Sequence, residues 1–194
     1  MVDMSLIQKE MNDMKLKTYL IGSIQDAKNP NESRSKVEKS LQDLGFDVLN
    51  PCKFECNTTL ATDIHEQKKK LENLKRGGAW EQWDKAMADI QLADEIAVIS
   101  SEFVVVFWDN DKKHGGTIVE IVLANQHQIP VYCVNYGNLV EMNDWVLRDI
   151  RRNMQRSGGE IFPNNKQMLD FIEKKHKDYI KSIPKEVTEN ADKS

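Results

Sequence analysis

The clearest pattern in the chain is 103–108 (FVVVFW), a run with no polar position. A continuous β-branched and aromatic stretch of this kind predicts a strand buried on both faces. The polar residues 109–114 (DNDKKH) follow as a turn. Apolar positions then return at helical spacing, at Ile118, Ile121, Val122 and Ala124. They predict a helix over 117–126, opened by Gly115-Gly116, with Thr117 placed to cap it. Upstream, 16–21 (LKTYLI) predicts a first strand that runs into Gly22-Ser23-Ile24 and a polar loop. Val37, Leu41 and Leu44 line one face of a helix over 33–44, which Gly45 ends, and 46–50 is a second strand stopped by Pro51. Positions 80–101 read as one long helix. Its last part, DEIAVISS, is taken as helix because the better strand follows at once. Downstream come a fourth strand at 131–134, a helix over 141–154, a short fifth strand within 158–162 and a final amphipathic helix over 165–183.

Strands alternating with helices predict a single-domain α/β fold. The expected form is a doubly wound parallel sheet of about five strands, Rossmann- or flavodoxin-like, with helices on both faces. The domain is expected over 16–183, with an N-terminal arm at 1–15 and a disordered tail at 184–194. The polar stretch 52–78 reads as an excursion over the strand ends and a candidate active-site lid. Its Lys68-Lys69-Lys70 run reads as a solvated helix face.

Composition narrows the function classes. The chain has 194 residues, 40% hydrophobic and 30% charged, and a net charge of −4. That suits one soluble domain and speaks against nucleic acid or anionic membranes as partners. No apolar run has the length of a membrane span and the N-terminus lacks a signal-peptide core, so a cytoplasmic location is expected by default. Three cysteines, Cys52, Cys56 and Cys133, fit a reducing compartment. Cys52 and Cys56 with His65 fall short of a four-ligand set, so neither a metal nor a cofactor is expected.

Ligands of open α/β sheets bind at the carboxyl ends of the strands. Glu120, about one turn into the helix after the central strand, is placed to act on a small molecule there. Its plainer reading is a helix-start glutamate favoured by the dipole. Asp94 is equally readable as a solvent-facing helical aspartate, Tyr19 as a core tyrosine and Ser23 as a turn residue. The Gly22-Ser23 loop lacks the full glycine fingerprint of dinucleotide or P-loop sites.

Three pieces taken together resemble the nucleoside 2-deoxyribosyltransferase superfamily, which includes the nucleoside 5'-monophosphate N-glycosidases. They are Tyr19-Leu20-Ile21-Gly22-Ser23-Ile24; Asp94, shortly before the central strand; and Gly116-Thr117-Ile118-Val119-Glu120, followed by Ala124 and Ile129-Pro130-Val131-Tyr132. The resemblance covers roughly 17–134, more weakly to about 145, and the 26 positions from Asp94 to Glu120 fit it without a gap. It implies cleavage of the N-glycosidic bond of a nucleoside or nucleoside monophosphate. Glu120 would be the nucleophile, Asp94 would act on the base, and Tyr19 would orient the carboxylate. Gly22, Ser23, Ile24, Gly116 and Thr117 would line the substrate site, and Ser23 would meet the 5' end. It also implies a homo-oligomer, with the exposed apolar faces of the 80–101 and 117–126 helices as contacts.

The departures are specific. Where transferases often carry another acid, this chain has His114, with Asp109 and Asp111 nearby. Where the glycosidase branch has an arginine after the loop serine, it has Gln25, leaving Lys28 or Arg34 as phosphate ligands. Asn143, two residues before Trp145, is the nearest match to a 5'-end ligand from a neighbouring subunit. The absent arginine favours a deoxyribosyltransferase-like reading, with the monophosphate N-glycosidase as the alternative. The rivals are a non-catalytic nucleotide-binding module and a hydrolase like the cytokinin-activating phosphoribohydrolases, whose fuller glycine-rich motif is missing here.

Overall fold

The computed structural model describes residues 15–23, 30–54, 64–112 and 114–183. The expectations for the N-terminal arm, for Ile24, Lys28 and Cys56 and for the tail lie outside those residues.

One parallel sheet organises the fold. Its strands are β1 (Lys17–Gly22), β2 (Asp47–Leu49), β3 (Phe103–Trp108), β4 (Val131–Asn135) and β5 (Glu160–Phe162), in the order β2-β1-β3-β4-β5. This is the flavodoxin-like order, and the expected fold class holds. Every residue of β3 is buried, as an unbroken apolar run at the middle of such a sheet requires. The helices are α1 (Pro30–Asp43), α2 (Pro51–Phe54), α3 (Ile64–Arg76), α4 (Trp80–Ile99), α5 (Gly115–Gln126), α6 (Asp144–Ser157), α7 (Asn165–Lys175) and α8 (Lys177–Ser182).

Alternating residues of each strand feed two cores. On one face Tyr19, Ile21, Val104 and Val106 pack with Ala97 and Val98 of α4, Ile121 and Ala124 of α5, and Val146 and Ile150 of α6. On the other, Leu20, Val105 and Val134 pack with Val37 and Leu41 of α1 and Met168 and Ile172 of α7. Gly45 takes a φ of 93° just after α1, a left-handed conformation that glycine adopts without a side-chain penalty.

The observed elements correct several sequence expectations. Helix α1 starts at Pro30 rather than 33, with proline at a first helical position, where its missing N–H costs nothing. Helix α5 starts at Gly115, so Thr117 lies inside its first turn and is not the cap. His114 holds the capping position and makes no side-chain cap bond. The helix expected over 141–154 is a short 3-10 turn, Leu139–Glu141, followed by α6, which Asn143 caps. The final helix is two, broken at His176. Within the 52–78 excursion, α2 and α3 are described, and α3 packs along α4.

Candidate functional site

The strand order reverses at β1 and β3, and the crevice at their carboxyl ends is where doubly wound sheets bind ligands. Tyr19 lies in β1 with its side chain on the α4–α5 face, fully buried. Its hydroxyl is 2.6 Å from Oδ1 of Asp94 on α4 and 2.9 Å from Oε1 of Glu120 on α5. One phenol thus joins two carboxyl groups from two helices, 75 and 101 positions away in sequence.

The proton count of this trio is informative. A phenol has one hydrogen and donates to one carboxylate at a time. The second short oxygen pair is a hydrogen bond only if the other carboxyl group carries a proton. Burial, first, and the charge of Asp94, second, push Glu120 from 4.5 up to about 8, against weaker opposing pulls from the Tyr19 hydrogen bond and Arg34. The residue as a whole is half-buried, with its carboxyl end turned inward on the buried phenol. Burial beside a second carboxyl group thus favours the protonated form of Glu120. The Tyr19 hydroxyl is the donor, and the Asp94 and Glu120 carboxyl oxygens are its two alternative acceptors. Two carboxyl groups bridged by one hydroxyl can hold a nucleophile and an acid in a single constellation.

Gly22 ends β1, three residues beyond Tyr19. A methyl group there would come within 3.0 Å of an Arg34 guanidinium nitrogen and 3.1 Å of the Phe107 carbonyl oxygen. Only glycine leaves room for that approach. Arg34, 3% exposed, comes from α1, lies over the Phe107 ring at 6.0 Å and donates to the Cys52 sulfur at 3.7 Å. Its charge is felt at both Glu120 and Tyr136. The Ser23 Oγ, next along the chain, is enclosed and finds no hydrogen-bond partner among the described residues.

The other expected site residues are less directly placed. His114 is buried, stacked on Trp108 at 3.9 Å between ring centroids, with Nε2 2.7 Å from the Asp109 carbonyl oxygen. Asp111 is exposed on the turn after β3. Gly116 is exposed and Thr117 buried in the first turn of α5. Asn143 is exposed, and its side chain accepts from the backbone N–H groups of Trp145 and Val146, a local capping role. The sequence understated Arg34. It is in phase with Val37 and Leu41 on the apolar stripe of α1, and a charged residue in that register was the available signal. No group of three or more metal-ligating side chains occurs among the described residues, and no helix among them is long and apolar enough to cross a membrane.

Neither a family model nor a curated protein matches the sequence. Solved structures do. A conserved protein from Enterococcus faecalis V583 is 17% identical, with 83% of this chain and 99% of that one covered, at a TM-score of 0.57. A 2-deoxyribosyltransferase from the psychrotolerant bacterium Bacillus psychrosaccharolyticus is 14% identical, with 79% and 90% covered, at a TM-score of 0.49. At these identities the likeness is one of fold.

Proposed function

We propose that the chain is an enzyme acting on the N-glycosidic bond of nucleosides, of the nucleoside 2-deoxyribosyltransferase kind. The observation that carries the reading is the Tyr19 hydroxyl held between Asp94 and Glu120. Breaking an N-glycosidic bond builds positive charge at C1' and negative charge on the departing base. The two carboxyl groups suit these two ends. The substrate-free trio holds its proton on Glu120, and Tyr19 offers a path for it: Glu120 protonates the phenol oxygen while the phenol hydrogen passes to Asp94. Glu120 becomes the carboxylate that attacks C1', and Asp94 becomes the acid. As the C1'–N bond breaks, its electron pair stays on the base nitrogen and the base takes the Asp94 proton. The resulting glycosyl ester is opened at C1' by a second base in transfer, or by water in hydrolysis. Glu120 is released as carboxylate, and the proton lost by the incoming nucleophile returns to Asp94. Exclusion of water from the pocket decides between the two outcomes.

A 5'-monophosphate substrate is the second reading, favoured by Arg34. Its guanidinium is buried against Gly22 at the carboxyl end of β1, and the enclosed Ser23 hydroxyl follows next along the chain. A fixed guanidinium and a hydroxyl are a fitting pair for a phosphate. Arg34 thus offers the cation that Gln25 does not supply. The remaining features of the reading are a lid from the 52–78 excursion, no cofactor, and a cytoplasmic setting.

The test is incubation with a panel of nucleosides and their 5'-monophosphates, with and without an acceptor base, with free base followed by chromatography. Release that needs a second base marks a transferase, and release without one marks a hydrolase. Binding without release, under all conditions, refutes the enzymatic reading and leaves the binding module.

A further inference from the structure

The positive charges of this chain are unevenly placed. Its net charge is −4, and of its 27 lysines and arginines only six are arginine. Four of those six, Arg148, Arg151, Arg152 and Arg156, lie in α6. All four are exposed, and they make no ion pair among the described residues. Helix α3 handles its cations differently. There Lys70 and Arg76 each pair with a glutamate four residues earlier. On α6, Asp144 stands four residues before Arg148 and does not pair with it. Like charges three and four positions apart work against a helix, so this cluster costs stability until an anion meets it.

A cavity of about 360 Å³ opens along the same helix, lined by Asp144, Leu147, Arg148, Arg151, Arg152 and Gln155. That is many times what a water or a simple ion needs, and within the range of small-molecule sites. The lining is ordered along the axis. Asp144 and Leu147 lie at one end, the three arginines in the middle, and Gln155 at the other end, about 16 Å of helix from Asp144.

We propose that this cavity binds a nucleoside polyphosphate, its phosphates over Arg148, Arg151 and Arg152 and its sugar towards Asp144. Guanidiniums at these spacings spring from Cβ atoms about 5 to 6 Å apart, and each takes phosphate oxygens two at a time. Three of them suit an anion with more than one phosphate group, because a single phosphate would leave like charges unmet. Asp144 repels phosphate but accepts hydrogen bonds from sugar hydroxyls. An acid at one end of the lining therefore favours a nucleotide over a bare polyphosphate. Leu147 beside it offers apolar surface to the nucleoside, and the Gln155 amide, both donor and acceptor, closes the phosphate end. A nucleic acid strand would call for cations that continue past the cavity. Helix α5, packed alongside, has no lysine or arginine, so no such track runs on across it. None of the lining residues belongs to the Tyr19 site, and the inference is independent of the proposed chemistry.

The experiment is titration calorimetry of the full chain at physiological ionic strength, with adenosine triphosphate and inorganic tripolyphosphate as separate probes. The wild type is expected to bind the nucleotide in the micromolar range and tripolyphosphate more weakly. Arg148→Gln with Arg152→Gln should weaken nucleotide binding about tenfold or more. Arg148→Lys with Arg152→Lys should recover only part of the loss, since an ammonium lacks the two-pronged geometry. Asp144→Ala should narrow the gap between the two probes. Arg34→Gln should leave both affinities unchanged, which separates this cavity from a phosphate site at the strand ends. Absence of binding by either probe up to millimolar concentration overturns the proposal. So does binding that survives the Arg148 and Arg152 changes, or that is lost in Arg34→Gln. Tripolyphosphate bound as tightly as the nucleotide by the wild type refutes the nucleoside half. A single-stranded oligonucleotide that binds more tightly than either probe through the same arginines overturns the proposal in favour of nucleic acid.

Discussion

Glu38 and Glu120 are both turned inward, and they are treated in opposite ways. Glu38, on α1, is 4% exposed. It accepts from Asn50 Nδ2 at 2.8 Å, from Lys53 Nζ at 2.6 Å and from Gln42 Nε2 at 3.5 Å. A cation and two amides replace the water it has lost, and the group ties α1 to the segment after β2. Glu120 is given one hydroxyl, shared with another carboxyl group, and the nearest charge is negative. The first arrangement satisfies a charge; the second discourages it. A carboxyl group held away from its comfortable state is what acid–base and nucleophilic chemistry uses.

The comparison breaks most sharply on substitution to the amide. Glu120→Gln should lower turnover by roughly a thousandfold or more, because the charge that meets C1' is gone, while substrate binding largely survives. Glu38→Gln should leave turnover within a few-fold. Steady-state rates and equilibrium binding of both variants decide this. A Glu120→Gln variant with near wild-type turnover would end the proposed mechanism.

Stability should respond in the reverse order. Glu38→Ala removes the buried acceptor of the Asn50 amide and leaves the exposed Lys53 ammonium to water, and should cost about 1 to 3 kcal/mol in urea unfolding. If the loss is below that of a typical surface substitution, the Glu38 cluster is not the anchor described here.

Tyr19→Phe removes the hydroxyl that joins the two carboxyl groups and keeps the packing of the ring. A drop in turnover of about ten- to a hundredfold is expected. If Tyr19 only positions Glu120, the pH–rate profile keeps its shape; if it carries the proton, the profile changes as well. Asp94→Asn should depend on the leaving base, with an activated base rescuing it more than it rescues Glu120→Gln. Equal rescue of both would remove the division between sugar side and base side.

Much of the fold was legible because its signals are local. The apolar run of β3, the glycine after α1 and the period of α4 each announce an element within a short window. The trio was legible only through a resemblance, since nothing local says that Tyr19, Asp94 and Glu120 meet. Their approach follows from strand order and helix packing, which set residues 75 and 101 positions apart at hydrogen-bonding distance. Helix starts were misread where glycine interfered. Gly115-Gly116 looks like loop by propensity, yet it forms the first turn of α5, held by the packing of Thr117 and Ile121 beneath it. Arg34 was undervalued because a charged residue on an apolar stripe is ordinarily taken as the edge of the stripe, and here it is buried at the strand ends.

The last expected effect concerns the pH dependence of stability, and its sign follows from the raised value at Glu120. In the folded chain the group titrates at about 8, against 4.5 ordinarily. The folded state therefore favours the proton more than the unfolded state does. Its contribution to stability is complete below about pH 4.5, declines as the unfolded chain ionises, and is lost as pH rises through about 8. Glu120→Gln has no such proton to lose. The melting temperature of the wild type, relative to the variant, should fall between pH 5 and pH 9 and level off beyond. Because Tyr19 pulls the value down, Tyr19→Phe should move this window to higher pH. A difference between wild type and Glu120→Gln that stays flat over this range would mean that Glu120 is ionised in the free site at neutral pH, and the proton path through Tyr19 would have no proton to start with.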